Sequence, residues 1–159
     1  MRTRILTILI VLAAATVAHA QVPQVRQYAA KFVCGTSNGK AFNVAPGTYL
    51  TTINVHNPAR TGGIGFRKKF ALAEMDEKAG AISQWFDAKL AADQAMQIDC
   101  RNIYAHLGIA VGTFIDGFAV IELSPKQELD VVGVYTAGPS GGGAVSTMHM
   151  ERVAGRLTQ

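Results

Sequence analysis

The chain has 159 residues, of which 49% are hydrophobic and 16% charged, with a formal charge of +4 at pH 7. That allows one domain with a single core and leaves too little for two ordinary domains. Nor does the charge argue for nucleic acid as a partner, because Arg2 and Arg4 belong to a leader segment, and without them the balance falls to +2.

The leader is read from order: two arginines, an apolar run from Ile5 to Ala18, then Ala18-His19-Ala20. This is the pattern of a secretory signal peptide with an A-x-A cleavage site, so residues 1–20 are expected to be removed after Ala20. The apolar run is short for a bilayer span, and no cysteine follows closely enough to carry a lipid anchor. Residues 21–159 are therefore expected as one secreted or periplasmic domain with no stable membrane span. Cys34 and Cys100 are the only cysteines. In an exported chain an even count favours a disulfide between them, with two buried free thiols as the alternative.

Residues 21–27 contain Pro23 and show no periodicity, which reads as a loose arm. Tyr28, Ala30, Phe32 and Cys34 then alternate with smaller or polar residues in the two-residue period of a strand. Asn38-Gly39 and Pro46-Gly47 are turn chemistry. From Thr48 to His56, Tyr49, Thr51, Ile53 and Val55 share the core phase, and Asn57-Pro58 ends the strand. Ile64, Phe66, Lys68, Phe70 and Leu72 share the next phase, and an inward lysine between two phenylalanines reads as the guard of an edge strand. Ala81 to Leu90 fits either a helix face or a strand face and is read as a strand beside strand neighbours, Met96 to Ile98 is a further strand, and Asp99 is placed to cap a short helix near 100–104. Gly117 to Ala137 reads as a core hairpin turning at Ser124-Pro125-Lys126-Gln127, with Val120, Ile121, Val131 and Val134 buried. Ala144 to Val153 is the last strand. The whole predicts an all-β fold, an antiparallel β-sandwich of about seven or eight strands with one short helix.

Chemistry is sparse. Gly138-Pro139-Ser140-Gly141-Gly142 matches G-x-S-x-G, and the order His56, Asp99, Ser140 is that of chymotrypsin-like proteases. A β-patterned run follows Ser140 where a nucleophile elbow requires a helix, and a double barrel needs a longer chain. A small serine hydrolase using Ser140 with His56 or His149 is thus the rival reading, and a flexible glycine loop the leading one. His56, His106 and His149 show no metal-ligand spacing, and no cofactor motif is present, so neither a metal nor a cofactor is expected. Arg67, Lys68 and Lys69 are the candidate anion-binding residues, weighed against a solvated strand. Tyr28, Tyr49, Trp85 and Tyr104 are weighed as a carbohydrate platform against core aromatics.

Ile98-Asp99-Cys100 with Ile103, Gly117 to Glu122, Leu129 to Val132, Val134 to Ala137 and Glu151-Arg152-Val153 resemble a group of small secreted bacterial proteins without assigned activity. The likeness spans most of residues 21–159. More distantly, the order of capped turn, Val-Ile strand and Val-Val return strand is similar to the sensory rhodopsin transducer family, small oligomeric β-sandwiches. The resemblance implies a sandwich that assembles or binds and is not an enzyme, with itself or a cell-envelope or extracellular molecule as partner. A structural envelope or matrix protein is a further expectation.

Overall fold

The structure, a computed structural model, describes residues 23–40, 43–141 and 144–159. The leader and its cleavage site lie outside the described residues. Ten strands and one helix follow in order: β1 (Val25–Ser37), β2 (Gly47–His56), β3 (Ile64–Ala73), β4 (Ala79–Ile82), β5 (Phe86–Leu90), β6 (Ala95–Asp99), α1 (Cys100–Leu107), β7 (Ile115–Leu123), β8 (Asp130–Gly138), β9 (Thr147–Arg152) and β10 (Arg156–Thr158). The fold is all-β with one short helix, as the alternating patterns predict, although with ten strands in place of seven or eight. Every pairing is antiparallel.

Strand β1 joins two sheets. Along Arg26 to Cys34 it pairs with β7, which pairs in turn with β3, and β4 and β5 complete that first sheet beyond β3. Its last residues, Gly35 to Ser37, pair instead with β2, the centre of a second sheet that continues through β8 to β9 and carries β6 on its other side. The inward phases of the two sheets meet in one core containing Phe32, Ile53, Phe70, Ile98, Ile121 and Val131. Phe32 and Phe70 meet edge to face at 6.4 Å between centroids, the geometry their ring quadrupoles prefer. Cys34 and Cys100 are joined, with Cα atoms 5.7 Å apart, tying the first residue of α1 to β1.

Four local readings change. Val25 to Gln27 are not a loose arm but the start of β1, held on one side by β10 and, from Arg26 onward, on the other by β7. The Gly117–Ala137 stretch is not a hairpin: β7 pairs with β1 and β3, β8 pairs with β2 and β9, and Ser124 to Leu129 carry the chain from one sheet to the other. Ile121 and Val131 are buried as expected, whereas Val120 and Val134 are half-buried on the outward phases. Strand β3 is interior, flanked by β7 on one side and by β4 and β5 on the other, so Lys68 does not guard an edge.

The helix runs past residue 104 to Leu107. Asp99 caps it through a reciprocal pair, its carboxylate accepting from the Asn102 N–H while the Asn102 side chain accepts from the Asp99 N–H, each at 3.0 Å. The Asn102 N–H holds the Asp99 carboxyl below its usual pKa. Ile103 and Tyr104 anchor α1 in the core, and Gly108, at φ 67°, ends it in the left-handed conformation.

Between β3 and β4 the chain turns through Asp76 and Glu77, both left-handed at φ 60° and 58°. Aspartate tolerates this region; glutamate pays a steric cost between its Cβ and the backbone. Glu77→Gly should therefore stabilise the domain by about 1 kcal/mol. An unchanged or lower denaturant midpoint would refute that account of the turn.

Candidate functional site

The feature least explained by folding is β9. All six of its residues are exposed, and it pairs with β8 alone, leaving its far edge without a neighbour among the described residues. It is the longest terminal strand of either sheet among the described residues; it contains neither lysine nor proline, and its charged side chains, Glu151 and Arg152, are confined to its last two positions. Met148 and Met150, 62% and 63% exposed, lie in register with Thr136 and Val134 of β8, which lie in register with Leu50 and Thr52 of β2. The outer face of the second sheet therefore carries Leu50, Val134, Met148 and Met150 beside threonines, an apolar surface continuous with an open strand edge. On the other face, the His149 ring lies parallel to Tyr135 at 6.1 Å, and the Tyr135 hydroxyl donates to Glu151 at 3.4 Å. Burial, with the charge of Glu151, pushes the Tyr135 pKa up to about 12.

The three basic residues of β3 divide between faces. Arg67 and Lys69 face outward and stand over the Trp85 ring at 4.3 and 4.5 Å, within cation–π range. Arg67 also makes two bonds to Glu122, at 2.9 and 3.1 Å. Gln27 donates to the other Glu122 oxygen, and Arg156 donates to Gln27. Of the three candidate anion-binding residues, Arg67 is thus paired with a carboxylate. Lys68 points the opposite way, opposite Phe86 on one side and Ile121 on the other, and burial pushes its amine below its usual pKa. Above it His106 lies against Phe86 and Phe70, at 4.0 and 5.3 Å between centroids, held below its ordinary pKa by burial and by the Lys68 charge.

His56, at the end of β2, stands between two carboxylates that sequence reading does not connect with it. Its Nδ1 is 3.2 Å from Asp130 and its Nε2 3.1 Å from Asp93, and Arg152 donates to the second Asp130 oxygen at 3.0 Å. Carboxylates only accept, so this geometry suits the doubly protonated ring; the bonds to Asp130 and Asp93 outweigh desolvation and raise the His56 pKa above 6.5. The folded state binds this proton more tightly than the unfolded chain. Its stabilisation is therefore complete below the unfolded value and is lost as pH rises through the raised folded one. His56→Gln should abolish that decline, and denaturant midpoints measured from about pH 5 to 9 would sink the assignment if both proteins kept the same slope.

Ser140 lies exposed in the turn after β8. Thr48 pairs with Gly138 at that end of the ladder and His56 with Asp130 at the other, roughly 26 Å away at about 3.3 Å per residue. Ser140 makes no hydrogen bond to His56 or His149 among the described residues. Tyr28 and Tyr104 are buried, with Tyr28 Oη accepting from the Leu129 N–H and Tyr104 donating to the Thr113 carbonyl, so the four aromatics form no common platform. A cleft of about 530 Å³ opens at the end of the first sheet among Ser37, Asn38, Leu72, Glu74, Phe114 and Asp116. Among the described residues no three His, Cys, Asp or Glu side chains converge as a metal site, and no helix is long and apolar enough to cross a membrane.

Neither a known protein family nor a curated protein matches the chain. Its fold overlaps the crystal structure of Thermotoga maritima 1070 with a TM-score of 0.47 and 7% sequence identity, over 86% of this chain and 96% of that one.

Proposed function

We propose that the protein is an exported, non-catalytic binding module whose contact surface is the open edge of β9 with the apolar outer face beside it. The observation that carries the reading is the exposure of both faces of β9 together with an edge that has no neighbour among the described residues. An extended segment of a partner adds to such an edge through backbone hydrogen bonds, while side chains such as Met148 and Met150 select it. Export is supported by the Cys34–Cys100 disulfide, a bond that persists in oxidising compartments, and by the leader pattern of residues 1–20. Binding is favoured over hydrolysis by the separation of Ser140 from His56 along the β2–β8 ladder. The test immobilises residues 21–159, as wild type and as Met148→Lys/Met150→Lys, against the envelope and culture fractions of the producing cell. The wild type should retain a defined protein, identified by mass spectrometry, at least about tenfold more tightly than the variant. Equal retention by the two would overturn the reading.

A further inference from the structure

We infer that the partner of β9 is a second copy of the same chain, joined by antiparallel pairing of β9 with its symmetry mate about a two-fold axis at Met150. The inference rests on β9 being the contact edge and adds who occupies it and in what register. The backbone sets the first condition. Val153 donates its N–H to the Val131 carbonyl at 2.9 Å, one residue beyond the Val132–Arg152 pair of the ladder. In an antiparallel ladder the bonded residues alternate, so Thr147, His149 and Glu151 turn their backbone groups to β8. Met148, Met150 and Arg152 then present theirs to the open edge.

A two-fold axis normal to the sheet allows two central registers. Centred on Met150, the bonded pairs are Met150 with its own mate and Met148 with Arg152 in both directions, giving three pairs that each exchange two hydrogen bonds. Centred on His149, only the two Met148–Met150 pairs are bonded. That ladder cannot grow through Ser146, whose N–H is already given to the Ala137 carbonyl at 2.8 Å. The side chains make the same choice. About Met150, His149 of each copy stands opposite Glu151 of the other in non-hydrogen-bonded pairs, where Cα atoms approach to about 4.5 Å and side chains are closest. About His149, two histidines would face each other. On the outer face the Met150 register joins Val134 and Met150 of both copies in one apolar row, with the aliphatic stem of each Arg152 lying along the other copy's Met148.

The pairing is tested on residues 21–159 with the native disulfide intact. At about 100 µM, with a Kd of ~10 µM, roughly four-fifths of the chain is paired and light scattering should give about 1.8 times the monomer mass. Met150→Pro removes only the edge-facing N–H and leaves the bonds to β8 intact, so it should return that mass to the monomer's with an unchanged circular dichroism spectrum. Met150→Lys, which places two ammonium groups at the axis, should do the same. Met150→Cys should form an interchain disulfide on mild oxidation, since bonded partners lie about 5.5 Å apart at Cα, within the reach of that bond, whereas Met148→Cys should not. A wild-type monomer at this concentration, or a dimer indifferent to Met150→Pro and cross-linked by Met148→Cys, would overturn the inference. A monomer that still captures another protein through β9 would defeat self-pairing alone and leave the binding reading standing.

Discussion

Replacing both Cys34 and Cys100 by alanine is expected to cost the domain about 4 kcal/mol, because the bridge closes a loop of sequence separation 66 and removes that freedom from the unfolded chain. The two half-cystines are also buried, at 0% and 5% exposure, so the variant loses packing where α1 meets β1. Against a total of about 5–15 kcal/mol, this is a large share of the stability. Denaturant unfolding of the double variant beside the oxidised parent measures it. A loss below about 1 kcal/mol would mean that the unfolded chain is already confined by other means.

Phe70→Ala should be comparably damaging, at about 4 kcal/mol, and Ile121→Ala should cost about 3 kcal/mol. Both side chains are fully buried, and Phe70 meets Phe32 on one side and His106 on the other. Truncation removes transfer energy and leaves a cavity that a core shared by two sheets cannot readily collapse. Val134→Ala, on the outward phase of β8, is half-buried and should stay within about 1 kcal/mol of the parent. The contrast between Ile121 and Val134 is the sensitive measurement. Equal midpoint shifts for both would mean that the sheet faces have been assigned the wrong way round.

The inward phases of β1, β2 and β3 were legible because a two-residue period with one buried face leaves its mark on every second side chain. The Asp99 cap and the Cys34–Cys100 bridge were legible from residue type. What the period does not carry is the identity of the neighbouring strand. Ile121 and Val131 are buried whether β7 and β8 pair with each other or face each other across the core, so the apolar run around Ser124-Pro125 resembled a hairpin. Lys68 faces inward as its phase predicts, yet it guards no edge, because β4 and β5 cover that side of β3. β10, three residues long, is too short to show any period.

The candidate site was less legible for a related reason. The carboxylates on His56 lie 37 and 74 residues away in sequence, and only the fold brings them to one imidazole. Met148 and Met150 read as ordinary strand residues, and their exposure follows from β9 being the last strand of its sheet. The serine loop carries a recognisable pattern without partners for its hydroxyl at His56 or His149 among the described residues, while the edge beside it carries no motif.

Gln27 and Arg156 meet across 129 residues of chain, where β10 closes against the opening of β1. A polypeptide synthesised from its N-terminus holds that first strand without β7 and β10 until residues 115–158 have been made. β7, the other neighbour of β1, is also distant in sequence, so the leading half of the chain lacks both strands that flank β1 along Arg26 to Gln27. The architecture thus postpones closure of the first sheet until β7 and β10 are both available to β1.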